Sequence, residues 1–156
     1  MRPSIEGVSL KMPIFHIHDF HRRFRNSELC IQHLFESRFL KAICPKCGRE
    51  NAYHRHINKQ CYTCTCGKHH IYPRTDTIFE KSSIPLTKWF YAIFVMCRTT
   101  RRTSAKHLQE KLRVSYTTAW RMIKQIRASM PENGCRGTQS FFETTLRKAM
   151  EKRHDP

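Results

Sequence analysis

Cys44-Pro45-Lys46-Cys47-Gly48 is the segment whose residue types and spacing are best suited to chemistry. Two thiolates three positions apart can grip one ion when the turn between them points backbone N–H groups at the sulfurs. Proline fixes the entry to such a turn and glycine permits a left-handed exit. One knuckle of this kind supplies two of the four ligands that a closed structural site needs. The other two must come from Cys61, Cys64 and Cys66, three thiols for two places. Cys66-Gly67 repeats the Cys-Gly ending of the first knuckle. Sixteen residues separate Cys47 from Cys64, and thirteen separate Cys47 from Cys61; ribbon pairs usually stand about 15–20 apart. Cys64 and Cys66 are therefore favoured, with Cys61 as the alternate for either, and His69 and His70 could also serve. The expected ion is a structural Zn²⁺. A catalytic zinc would keep an open position beside a general base, and no His/Glu pair at that spacing lies nearby.

The elements around the knuckles follow from periodicity and punctuation. Residues 43–80, rich in cysteine with short aromatic pieces, read as a β-ribbon. Its strands are expected at Asn51–His56 and Lys59–Thr63, joined around Asn58, with a third beginning at His70. Before it, about Asp19 to Leu40 reads as helix, with a possible N-cap at Asn26 or Ser27. After it, Pro85 opens a helix with Leu86, Phe90, Ile93 and Cys97 on one face. Thr103 or Ser104 caps a short helix carrying Ala105, Leu108 and Leu112, and Arg113-Val114-Ser115 breaks it. Ser115 caps a longer helix to Met130, with Ala119, Ile123, Ile126 and Met130 facing a core. Trp89 and Trp120 lie on or beside these apolar stripes and read as core. Phe141 to Lys152 is a possible short helix in a tail that carries little else.

The chain thus reads as α+β: a small zinc-ribbon β module flanked by helices, then an all-α module. Its divisions are an N-terminal arm (1–18), a helical lead-in (19–42), the ribbon (43–80), a helix-turn-helix (83–130) and a tail (131–156). Hydrophobic residues are only 39% of the 156, and mean hydropathy is −0.63. Small modules are therefore expected rather than one large core.

Charge points to the partner. The formal net charge is +17, and such self-repulsion is most readily carried by a protein that meets a polyanion. Leu86 to Met130 holds ten basic residues and one acidic, over half of that net charge in under a third of the chain. A short capped helix, a tight turn and a longer capped helix give the order of a helix-turn-helix, whose second helix enters the major groove. Thr117, Thr118, Arg121 and Gln125, facing away from the apolar stripe, are suited to read bases. Arg98, Arg101, Arg102, Lys106, Arg113 and Lys124 are suited to phosphates. The expected partner is double-stranded DNA. A ribosomal-type RNA-binding zinc protein is the rival from another class, but capped helices rather than aromatic stacking platforms speak against it.

Met1 to Lys11 lacks the apolar core of a signal peptide, and the longest apolar run, Trp89 to Cys97, is nine residues. That is about half of a bilayer span. A cytoplasmic, nucleoid-associated protein without a membrane segment is expected. In that reducing compartment eight cysteines point to metal rather than disulfides, and Cys30, Cys97 and Cys135 read as scattered thiols.

Cys44-Pro-Lys-Cys47-Gly, Tyr62-Thr-Cys64, Thr77-Ile-Phe, Pro85-Leu-Thr-Lys-Trp89-Phe, Ser104-Ala and Thr118-Ala-Trp120-Arg-Met resemble, in that order, the zinc-ribbon transposases of bacterial insertion sequences. Phe35-Glu-Ser-Arg38-Phe resembles the helix-end motif that precedes their first knuckle. The resemblance covers roughly Asp19 to Met130. It implies a structural zinc ribbon and a helix-turn-helix that bind the element's terminal inverted repeats. The chain departs from the family pattern where Cys66 stands one place early in the second knuckle. The resemblance also implies an RNase H-like half with an acidic triad after Met130, where this sequence has 26 residues. Glu132, Glu143, Glu151 and Asp155 do not build one. A DNA-binding transposase part without strand-transfer activity is expected, or alternatively a stand-alone regulator using the same modules.

Overall fold

The computed structural model describes residues 14–56, 58–99, 102–134 and 136–151. Its first two helices are α1 (Ile17–Arg23) and α2 (Ser27–Arg38), where sequence periodicity suggested one. The reason is Asn26. Its Oδ1 accepts the Leu29 N–H at 2.9 Å, a cap that requires the extended backbone seen there (φ −144°, ψ 165°). A residue so placed cannot continue a helix through itself. The break turns Phe24 into the interior, where it is 2% exposed.

The ribbon follows as β1 (Tyr53–Arg55), β2 (Tyr62–Cys64) and β3 (His70–Ile71), an antiparallel sheet in the order β1-β2-β3. Tyr53 pairs with Cys64, and Tyr62 pairs with Arg55 on one side and Ile71 on the other. The strands are shorter than expected, and the second begins at Tyr62 rather than Lys59. The His56 N–H bonds the Cys61 carbonyl at 3.0 Å, which draws 58–61 into the hairpin turn. So small a sheet cannot stand alone. It docks on α2, where the Tyr62 ring stacks on Phe35 with centroids 3.8 Å apart and planes at 8°, and Arg55 pairs with Glu28 at 3.1 Å.

Two arginines fasten the chain leaving the ribbon. Arg38 donates to the carbonyls of Pro73 at 2.6 Å and Thr75 at 2.8 Å. Arg74 donates to those of Phe79 at 2.8 Å and Ser82 at 2.6 Å. Then come α3 (Leu86–Arg98), α4 (Ala105–Leu112), α5 (Tyr116–Ser129) and α6 (Gln139–Met150). Helix α3 buries Leu86, Trp89, Phe90, Ala92, Ile93, Phe94, Met96 and Cys97. It is apolar on most sides because α2, α4, α5 and α6 all pack against it.

The expectation of small separate cores is corrected here. One cluster of buried side chains runs from Phe15 and Phe20 through α3 to Phe142, Leu146 and Met150. Phe20, Phe24, Phe94 and Phe142 form its aromatic centre, with ring centroids 4.9 to 6.3 Å apart. Nor are the ends of the described chain an arm and a tail. The Phe15 N–H bonds the Gly137 carbonyl at 3.0 Å, and the Gly137 N–H bonds that of Cys97 at 3.0 Å. Thr138 caps α6 by accepting the Phe141 N–H, and Thr145, fully buried, returns its hydroxyl to the Phe141 carbonyl at 2.8 Å.

Candidate metal centre and basic helical surface

Each thiol pair is positioned by a knuckle of the same build. The Cys44 N–H bonds the Arg49 carbonyl and the Cys64 N–H bonds that of His69, each at 2.9 Å; Gly48 and Gly67 return their N–H groups to the carbonyls of Cys44 and Cys64 at 2.8 Å. Both glycines take positive φ, 69° and 71°, with open space where a Cβ would stand, so it is conformation rather than crowding that calls for glycine. The second knuckle is one residue shorter between cysteine and glycine. That shortening is what carries Cys66, two positions after Cys64, to the place that Cys47 occupies three positions after Cys44.

The knuckles bring the sulfurs of Cys44, Cys47, Cys64 and Cys66 within 4.8 Å of one another. Cys44 and Cys66 lie 3.8 Å apart, and Cys47 and Cys64 3.6 Å. Four sulfurs about 2.3 Å from a tetrahedral ion are about 3.8 Å apart. The donor set therefore fits a metal ion held by four thiolates. Cys61 is buried outside this group. His69 and His70 are engaged elsewhere: His69 Nδ1 lies 2.8 Å from the Tyr53 hydroxyl, and His70 Nδ1 2.9 Å from Thr63 Oγ1.

Electrostatics in the quartet point the same way. Desolvation raises the Cys44 thiol, but the amides of Lys46 and Cys47 and the neighbouring thiols outweigh it and bring it to about 6. At Cys47 the Arg49 amide pulls downward, yet desolvation and the crowding of Cys64, Cys44 and Cys66 leave it at about 11. Four thiols this close cannot all ionise without a cation to share. Tyr53, which periodicity did not single out, stands behind them. Desolvation first, then its hydrogen bond with Cys44 and the charges of the cysteines, push its phenol up to about 12. Its hydroxyl, 2.8 Å from His69 Nδ1, is fastened to the second knuckle.

The second region lies on α4 and α5. Ser104 Oγ accepts the His107 N–H at 3.1 Å to start α4. Arg113 ends it in the left-handed conformation (φ 52°, ψ 55°). Two residues later Ser115 Oγ accepts the Thr118 N–H at 3.1 Å to start α5. Arg127 closes the pair by donating to the Thr103 carbonyl at 3.2 Å. Leu108, Leu112, Ala119, Met122, Ile123 and Ile126 are buried, which aims the opposite side of α5 outward. Helix α5 carries Arg121, Lys124 and Arg127 and no acidic residue.

The chain is similar to an insertion-sequence protein. It is 32% identical over 84 residues to a protein of Halobacterium salinarum described as an uncharacterized protein in transposable element ISH50. The match takes in 53% of this chain and 28% of that protein, so the chain spans little more than a quarter of its relative's length. No protein family matches the chain, and no solved structure does. Among the described residues, no helix is long and apolar enough to cross a membrane.

Of the candidate DNA contacts, Arg98, Arg102, Lys106, Arg113, Thr117, Arg121 and Lys124 are exposed; Arg101 lies outside the described residues. Thr118 and Gln125 are half-buried. Together with Arg121 they line a crevice of about 180 Å³ whose far wall is Ser82, Ser83 and Trp89. The reading of Trp120 as core is corrected: it is 52% exposed, as Tyr116 is at 56%. Met122 takes the interior place instead. Tyr116, Trp120 and Lys124 recur every fourth residue, a stripe on the flank of the buried one, and this period is the signal that the sequence offers.

Proposed function

We propose that this chain is the DNA-binding part of a transposase. Zinc holds its ribbon through Cys44, Cys47, Cys64 and Cys66, and α4, the turn and α5 form a helix-turn-helix that binds insertion-sequence ends. The observation that carries the reading is a cluster of four thiols that could hold a metal ion, in a chain similar to an insertion-sequence protein. Four thiolates leave zinc no open position, so the ion is structural and fixes the ribbon against α2. Helix α5 lies in the major groove. Arg102, Lys106 and Arg113 meet phosphates around it and supply affinity without sequence information. The chain by itself neither cleaves nor joins DNA. Two-metal phosphoryl transfer needs clustered carboxylates to hold its ions.

The test is equilibrium binding of the full chain to duplexes selected from a randomised pool and to unselected duplexes, at several salt concentrations. Arg102→Ala with Lys106→Ala is expected to weaken binding to all sequences alike and to flatten the salt dependence by about two units of slope. Selected sites on a plasmid should stay intact with Mg²⁺ or Mn²⁺. A chain that binds no duplex, or whose affinity ignores these cations, overturns the DNA-binding reading; nicking by nuclease-free protein overturns the reading that the chain lacks catalysis.

A further inference from the structure

Tryptophan is seldom left half in water by a chain that has room to bury it, and α3 shows that this chain has room. Trp120 nevertheless stands 52% exposed, with Tyr116, 56% exposed, one turn before it. Lys124, one turn after, holds its ammonium 5.5 Å from the indole centroid. At about 100° per residue, the exposed arc of α5 from Tyr116 to Arg121 is centred on Trp120, Thr117 and Lys124. Thr118 and Gln125 lie at its margin, facing the wall made by Ser82 and Ser83.

We propose that Trp120, with Thr117, Arg121 and Lys124 beside it on the exposed arc, makes the base-reading face of α5, and that the indole reads thymine through its C5-methyl group. This rests on the DNA-binding reading above. The major groove presents that methyl as its one apolar feature, and an apolar side chain is what recognises it. Arg121 and Lys124, further round the same exposed arc, match guanine edges or phosphates. The surroundings also favour DNA over a protein partner. Lys124 holds its ammonium 5.5 Å from the indole centroid, and α5 carries Arg121, Lys124 and Arg127 with no acidic residue to offset them. Lysine is among the residues depleted at protein interfaces, and Lys124 is the cation packed on this ring.

The experiment uses the full chain and duplexes selected from a randomised pool. Each thymine of the selected site is replaced in turn by uracil, which removes only the methyl. For the wild type, at least one replacement should weaken binding about four-fold, the equivalent of one buried methylene. In Trp120→Ala that sensitivity should vanish, and in Trp120→Phe part of it should remain. Because the indole is exposed, both variants should keep the wild-type circular dichroism. If the wild type selects a site yet tolerates uracil everywhere, or Trp120→Ala keeps the full penalty, this assignment is overturned and the DNA-binding reading stands. If Trp120→Ala instead lowers the particle mass in light scattering and leaves discrimination intact, the indole is a protein contact. Failure of the wild type to bind any duplex overturns both readings.

Discussion

The ribbon and the helical body differ in what can hold them together. The ribbon has strands of three, three and two residues. Of its sheet, Tyr62 is buried in the main cluster, while Tyr53 and Ile71 are packed against it only in part. Its defining contacts are four sulfurs and two knuckles. The helical body has capped helices and a phenylalanine centre, with Phe79, Phe90 and Phe142 at or below 1% exposure. A sheet that small cannot offset its ordering entropy by burial alone. The helices can, so one chain combines a part whose four thiols could hold an ion with a part that depends on packing.

The largest effect that could break this comparison is loss of the metal. Strong chelation, or Cys44→Ser, is expected to remove zinc and unfold the ribbon, because structural zinc sites couple on the order of 10 kcal/mol of binding to folding. Amide hydrogen exchange should then lose protection at 44–72 and keep it in α3, α5 and α6. Metal analysis gives the stoichiometry, expected at one per chain. If protection collapses in both regions together, the contacts of Tyr62 with Phe35 and Arg55 with Glu28 bind the two parts into one cooperative unit.

The converse change is Phe142→Ala. It removes a ring 1% exposed from among Phe15, Phe20, Phe24 and Phe94. Such truncations cost about 3–5 kcal/mol. Chemical denaturation of the zinc-loaded protein should show a loss of that size, with zinc content unchanged. A loss below about 1 kcal/mol would mean that α6 is the tail its sequence suggested.

That contrast also explains what could be read in advance. Caps are local, so Asn26, Ser104 and Ser115 are legible from a polar residue placed before an apolar period. Cys44, Cys47 and the Cys-Gly endings are equally local. The break between α1 and α2 is half-legible, since the Asn26 cap is recognisable in the sequence while the apolar period runs on through it. Burial of α6 is a tertiary fact. Thr145 and Ser140 blur a stripe that doubles up as Phe141, Phe142, Thr145, Leu146, Ala149 and Met150, and α3, α5 and α2 packed beside it make that stripe a core. Trp120 misled for the opposite reason. A residue of high apolar content next to Ala119 reads as interior until the rotation of α5 buries Met122 in its stead.

The smallest effect sharpens the comparison inside the helical body, at the turn between α4 and α5. Arg113 adopts φ 52° and ψ 55°, a conformation that costs a side-chain-bearing residue about 1–2 kcal/mol and glycine almost nothing. Its N–H bond to the Gln109 carbonyl belongs to the backbone, so any residue can make it. On stability alone, glycine should stand here, as it does at the ends of many helices. Arg113→Gly is therefore expected to raise stability, although the greater freedom of glycine in the unfolded chain cancels part of the gain. A net of roughly 1 kcal/mol would lift Tm by about 2–4 °C in a chain of this size. The same change deletes a cation at the mouth of the turn. Affinity for selected and unselected duplexes should fall together, and the salt dependence should flatten by about one unit of slope. Calorimetry and binding on one preparation read both quantities. A rise in Tm with weaker binding marks Arg113 as held in a strained conformation for its charge. A fall in Tm would mean that the guanidinium contributes packing to the turn, and unchanged binding would remove Arg113 from the DNA surface.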